Sequence, residues 1–268
     1  MQKLFMKFVW AYLVLLVSTA PVIADIPQEI MTSAHAGDAK SMRIVGFRYL
    51  LGHDVEKSNV EASVWLEKAA TGGDVTSMWA LGAIYYDGSD EVLDGYDGTD
   101  IERSNAVSMK WYQMAGERGN STAQNAMGNF FYRPEIGVQQ DYEKALYWYN
   151  IAAENGDMAA QYNLAYMYDT GKGITENDVE AARLYALSAE QGMARAQHNL
   201  GGLYEAGEGV KRDHEKAIYW FRMAAAQGRE NSVNHLLDDH IQDYIALAQD
   251  IYNGSGFDED PDRAISML

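Results

Sequence analysis

Apolar positions along most of the chain recur at spacings of three and four residues, the mark of helices that bury one face. The stretch from Met193 to Gly228 shows the pattern most cleanly and predicts two helices. The first, Ala194 to Glu205, sets Ala196, Leu200, Leu203 and Tyr204 on one side. Gly207 and Gly209 then interrupt it; glycine is costly inside a helix but adopts the positive φ of a tight turn easily. Asp213 stands at the N-cap position, and Ala217, Ile218, Trp220, Phe221, Ala224 and Ala225 form a second apolar face that ends at Gly228. A hairpin of this size cannot bury both faces by itself, so the pattern calls for neighbours of the same kind.

The pattern repeats. Closing glycines precede Gly228 at Gly192, Gly156, Gly119, Gly73 and Gly37, in steps of 36, 36, 37, 46 and 36 residues. An aliphatic slot in each first helix holds Val45, Leu81, Met127, Leu164 and Leu200. Four residues later an aromatic slot holds Tyr49, Tyr85, Phe131, Tyr168 and Tyr204. The middle of each second helix holds Trp65, Trp111, Trp148, Leu184 and Trp220. This frame predicts that Phe131, Trp148 and Tyr168 belong to the core.

The frame resembles the Sel-1-like repeat, a relative of the tetratricopeptide repeat. The unit ending at Gly228 carries the pattern on Ala196, Leu200, Gly201, Tyr204, Gly207, Gly209, Val210, Asp213, Lys216, Ala217, Trp220, Ala224 and Ala225. The resemblance runs from Gly37 to the C-terminus, with local departures at Gly52-His53-Asp54, at Ser108 in an alanine slot and at Arg133 to Gly137. It implies an all-α fold, a right-handed α-solenoid of about six stacked helical hairpins whose first helices line a concave surface. It implies binding and scaffolding rather than any one chemistry. The domain organisation follows: a leader over 1–24, a lead-in segment over 25–37, and repeats at about 38–73, 74–119, 120–156, 157–192, 193–228 and 229–268. The last is degenerate and incomplete: eleven extra residues lie ahead of its first helix, and Ile265, Met267 and Leu268 leave an apolar end suited to self-association.

The leader has a different character. Lys3 and Lys7 precede an apolar run from Phe8 to Val17, and Val22-Ile23-Ala24 offers a small-residue cleavage site before Asp25. That arrangement reads as a secretory signal peptide, too short to anchor the chain in a membrane after cleavage, and predicts a periplasmic or secreted protein. With no cysteine in the sequence, neither disulfides nor a lipid-modified cysteine are available, and stability has to come from packing.

Charge narrows the partners. The chain carries a formal −18, and about −20 once the two leader lysines are removed. Such acidity disfavours nucleic acid and anionic membrane surfaces and predicts a basic protein partner, although solubility alone also accounts for it. The turn of the second repeat is swollen by ten residues, from Asp87 to Glu102, with Asp90, Glu91, Asp94, Asp97 and Asp100 among its acids. Their spacing fits no register of the calcium-binding helix–loop–helix consensus, so a solvated contact loop is expected and no metal. Further contact candidates are aromatic or imidazole side chains just off the apolar frame: Trp79, Tyr162, Tyr166 and His198. Packing against the neighbouring hairpin is the competing role for them.

No catalytic constellation emerges. The six histidines are scattered, His235 and His240 are five residues apart, and neither a zinc-protease helix, a nucleophile elbow nor a phosphate loop occurs. The sequence therefore predicts a non-enzymatic protein-interaction scaffold or adaptor that needs no cofactor. Two alternatives stay open: a periplasmic immunity protein neutralising an antibacterial effector such as a phospholipase, and, more remotely, a cell-wall hydrolase.

Overall fold

The computed structural model describes residues 25–86, 102, 104–134, 138–229 and 232. The leader, Asp90, Glu91, Asp94, Asp97 and Asp100 of the acid-rich turn, and all of the sixth unit but Arg229 and Ser232 lie outside the described residues.

The described residues form eleven α-helices and no strand, in two compact units divided between Arg118 and Gly119. The first unit contains α1 (Gln28–His35), α2 (Ala39–Leu51), α3 (Asn59–Thr71), α4 (Val75–Tyr85) and α5 (Asn105–Gly116). The second contains α6 (Ser121–Tyr132), α7 (Tyr142–Glu154), α8 (Met158–Thr170), α9 (Asp178–Glu190), α10 (Ala194–Ala206) and α11 (His214–Ala225). Within each unit the helices pair as hairpins, and each hairpin packs on the next in chain order, as an all-α helical-repeat solenoid requires. In the first unit, α1 lies on α2 and closes an apolar cluster of Ile26, Ala34, Val45 and Trp65.

The helix starts are written locally. Nine of the eleven helices have a Ser, Asp or Asn N-cap whose side chain accepts from a backbone N–H three residues on, for example Asp38 from Ser41 at 2.8 Å and Asp213 from Lys216 at 3.1 Å. The hairpins are then pinned by one backbone bond. The N–H of the second helix's N-cap residue donates to the carbonyl of the aromatic-slot residue: Ser58 to Tyr49, Ser104 to Tyr85, Asp141 to Phe131, Asn177 to Tyr168 and Asp213 to Tyr204, all at 2.8–3.0 Å. Register within the hairpin is thus set by main chain.

The aliphatic slot is fully buried, from Val45 at 0% exposure to Leu164 at 3%. The aromatic frame departs from expectation: Phe131 is buried, but Trp148 and Tyr168 are only half-buried. The deepest ring sits one residue past the tryptophan slot, at Tyr112, Tyr149, Tyr185 and Phe221. The cause is the small residue that follows the aliphatic slot on the first helix. A Cβ on Gly82 would lie 2.5 Å from Tyr112, one on Gly128 2.4 Å from Tyr149, and one on Gly201 2.8 Å from Phe221. At these three glycines the ring lies against helix backbone, where only hydrogen leaves room.

Candidate partner-binding face

The predicted contact residues divide between the units. Trp79 stands half-buried on α4 of the first unit, whereas Tyr162 and Tyr166 on α8 and His198 on α10 share the second. Trp79, Asn125, Tyr162 and His198 all sit two residues before the aliphatic slot, so they are the same position of successive first helices.

In the second unit Tyr162 and His198 lean on buried rings and Tyr166 meets an ammonium, and each leaves part of itself open. The Tyr162 ring lies 5.7 Å from that of Tyr185, and the His198 ring 5.4 Å from that of Phe221. His198 Nδ1 is 2.8 Å from Ser232 Oγ. Tyr166 is covered on one side by the Lys172 ammonium, 5.2 Å from the ring centroid. Core support and exposure therefore coexist in the same residues, which is the condition for a preorganised contact surface.

A polar seam that the frame did not disclose holds these residues in place. Asn163 Nδ2 donates to Asn125 Oδ1 at 2.9 Å and to Asn129 Oδ1 at 3.3 Å, joining α8 to α6. Tyr149 Oη donates to Asn129 Oδ1 at 2.7 Å. Asn199 Nδ2 donates to Tyr185 Oη at 2.9 Å, and Tyr185 Oη donates to Asp169 Oδ2 at 3.0 Å. Burial pushes the Tyr185 phenol far above its ordinary value and raises the Asp169 carboxyl, the latter partly offset by the Tyr185 hydroxyl. Burial also raises the Tyr162 phenol, against the opposing charges of Arg195 and Arg229.

A second seam runs deeper. Gln124, Gln161 and Gln197 are buried three residues before the aliphatic slot, and they accept from Asn155, Gln191 and Gln227 at 2.8–3.0 Å. Gln161 and Gln197 also donate to the carbonyls of Ala153 and Ala189 at the end of the preceding repeat's second helix. Each thus ties its own hairpin to the one before. A signal for these pairs does exist in the sequence. Where that position is Met42 or Met78, the residue before the closing glycine is Gly72 or Arg118, and where it is glutamine the partner is an amide.

The charge of the first-helix face differs from that of the chain. Helices α2, α4, α6, α8 and α10 carry Lys40, Arg43, Arg48 and Arg195 against only Asp169 and Glu205. In the second unit α6 has no charged residue at all. A cleft of about 430 Å³ between α7 and α9 is lined by Leu164, Leu184, Leu187 and Arg183, but Arg183 is committed to Glu180 at 2.5 and 2.9 Å. Among the described residues no three metal-ligating side chains converge, and no helix is long and apolar enough to cross a membrane.

The profile described as Sel1 repeat matches residues 39–74, 75–94, 95–120, 121–157, 159–193 and 194–228. The second and third of these segments are the two halves of the hairpin carrying the swollen turn, and the matches end at 228. Among solved structures, a Sel1 repeat protein from Oxalobacter formigenes is 33% identical over 75% of this chain and 78% of its own, with a TM-score of 0.66. A protective antigen of uropathogenic Escherichia coli, c5321, is 28% identical with a TM-score of 0.68 over 89% of this chain, which spans 46% of that protein. The Pseudomonas aeruginosa immunity protein Pa5087 is 18% identical over 78% of this chain and 76% of its own, with a TM-score of 0.47, a likeness too loose to bear on function. Comparison with curated proteins gives no match.

Proposed function

We propose that this chain, which belongs to the Sel1 repeat family, is a non-catalytic protein-interaction scaffold of the bacterial periplasm. The partner docks on the first-helix face of the second unit. One observation carries the reading: Tyr162, Tyr166 and His198 are half-exposed, yet each is fixed by a ring or an ammonium of its own repeat, and His198 also by a hydrogen bond to Ser232. A rigid aromatic surface lowers the ordering cost of association and supplies the residue types that dominate interface energies. The periplasmic address rests on the leader at 1–24.

The chain-wide acidity argues for a basic partner only where the acids are. On the first helices of the second unit only Arg195, Asp169 and Glu205 are charged at neutral pH, so contact there is governed by rings and amides rather than by net charge. An immunity role remains the alternative, to be separated by the identity of the partner. The test uses residues 25–268 as bait in periplasmic extract, followed by affinity measurement with the purified partner. Tyr162→Ala should weaken binding at least about tenfold, a hot-spot loss of ~1.4 kcal/mol or more, while Tyr219→Ala, on the outward side of α11, should change it less than about twofold. Equal losses, or the reverse order, would refute this face as the binding site.

A further inference from the structure

The repeat frame makes an unusual substitution visible at the end of the second unit. The residue after each closing glycine begins the next first helix, and its N–H donates to the preceding helix: Asp38 to Ser33, Asp74 to Ala69, Asp157 to Ala152, Met193 to Ser188 and Arg229 to Ala224. Up to Asp157 this position is Asp or Asn; at Met193 the carboxylate is lost, and at Arg229 its sign is reversed. In the first unit the acid has an ionic role besides capping, because Asp74 takes Arg43, two residues before the aliphatic slot of the previous first helix, at 2.9 Å. The pair occupying those same two positions one unit from the end is His198 and Arg229. Here the cation stands where the carboxylate was, and no carboxylate replaces it among the described residues.

The geometry brings this guanidinium onto the binding face. Ser232 N donates to Arg229 O at 3.0 Å, and Ser232 Oγ meets His198 Nδ1 at 2.8 Å, so the turn carrying Arg229 is held against α10. Arg229 Nε is buried without a hydrogen-bond partner. Arg195, on the first turn of α10, is exposed and makes no ion pair among the described residues. Arg195 holds on α10 the place of Thr76 on α4. Thr76 Oγ1 lies 3.5 Å from Arg43, the counterpart of Tyr162 one repeat earlier, so the frame sets Arg195 beside the Tyr162 ring. The influence of both cations on that phenol accords with this placement. Arg229 as a whole is nonetheless half-buried rather than enclosed, and an open guanidinium with no acid beside it is met best by a carboxylate, which accepts from its planar fork in two parallel bonds.

We infer that Arg195 and Arg229, with the Tyr162 ring as an apolar wall, form a subsite for an Asp or Glu side chain of the partner protein. This inference rests on the proposed binding face and specifies its chemistry. The partner's carboxylate would complete at Arg229 the cross-repeat pair that Arg43 and Asp74 complete within the first unit. In a chain of net charge −18 the subsite confers selectivity at contact rather than long-range attraction.

The test is a nuclear magnetic resonance titration of residues 25–268, following the arginine Nε–H and tyrosine ring signals. The probes are two blocked tripeptides, N-acetyl-Tyr-Glu-Tyr-amide and N-acetyl-Tyr-Gln-Tyr-amide. The expected result is saturable movement of the Arg195 and Arg229 signals with the glutamate peptide, at an affinity at least about tenfold above that of the glutamine peptide. Arg195→Gln and Arg229→Gln should each abolish the preference while leaving the α10 amide signals in place, and Arg195→Lys should restore part of it. Equal response to both peptides at Tyr162 would overturn the carboxylate subsite and leave the binding face standing. Absence of any response at the two arginines would also overturn the subsite, whatever partner capture shows.

Discussion

The two units are built on one frame but close their seams with different chemistry. In the first, the position three residues before the aliphatic slot is Met42 or Met78, and the cross-repeat polar link is the Arg43–Asp74 ion pair. In the second, Gln124, Gln161 and Gln197 occupy that position, and amides and tyrosine hydroxyls replace the ion pair. The turns differ in parallel. The first repeat places Asp54, φ 64°, where later repeats have Gly173, φ 72°, and Gly209, φ 65°. All three adopt the same left-handed backbone, so the φ angle alone does not require glycine. Neighbours decide it: a Cβ on Gly173 would lie 2.3 Å from Tyr142 Cβ, and one on Gly209 2.0 Å from the Asp178 carbonyl oxygen of the preceding repeat. Asp54 carries a full side chain at this position and pairs with Arg48. Glycine in the turn is therefore a contact between repeats, and only secondarily a matter of turn conformation.

That contrast is most easily broken at the turn. Gly209→Ala combines left-handed strain with a backbone clash and should destabilise the second unit by about 3 kcal/mol or more, read as a drop in the denaturant midpoint. Gly207→Ala, whose Cβ would meet nothing closer than Arg212 Cβ at 3.1 Å, should cost only ~1 kcal/mol. Asp54→Gly should be nearly neutral, because relief of strain offsets the lost Arg48 pair.

Smaller effects are expected at the seam. Gln161→Met transplants the first unit's residue and strands the Gln191 amide and the Ala153 carbonyl, a loss of about 1–3 kcal/mol by thermal or chemical unfolding. Gln191→Ala in the same chain should recover part of it, giving a coupling energy in the double-mutant cycle; strict additivity would show the ladder to be incidental.

The smallest effects are pH-dependent, and their signs oppose. The Lys144 and Lys216 backbone N–H groups hold the cap carboxyls Asp141 and Asp213 below their ordinary value. Their contribution is therefore present above the unfolded value and lost as pH falls through the folded one. Asp169 is raised by burial, so its ionisation disfavours the fold, and that penalty is relieved as pH falls. Asp169→Asn, which keeps an acceptor for Tyr185, should raise the melting temperature at pH 7 and lose that advantage on acidification. Asp213→Asn should behave oppositely, with its deficit disappearing at low pH.

How far the sequence reached follows from what each feature depends on. The aliphatic slot, the closing glycines and the Asp213 cap are set by local periodicity and φ, so they could be read directly, and the Sel1 fold with them. The depth of Tyr149 could not, because it depends on the residue facing it across the hairpin, Gly128. Tyr162, Tyr166 and His198 stand out in the sequence because they interrupt the apolar pattern, but the contacts of Tyr162 with Tyr185 and of His198 with Ser232 arise only when segments distant in sequence meet. The amide ladder was legible only by comparing repeats with one another, as Met42 with Gly72 against Gln161 with Gln191. Net charge says little about this face for a spatial reason: the acids that dominate the total are scarce on the first helices.

The account turns on which side of the second unit meets the partner. Site-specific photocrosslinking measures this directly, with p-benzoylphenylalanine placed in separate chains at 162, at 166, and at the exposed outward positions 147 and 219. Adducts with the partner from 162 and 166, and none from 147 and 219, are the predicted result. Adducts from 147 or 219 alone would contradict the account and move the binding face to the second helices.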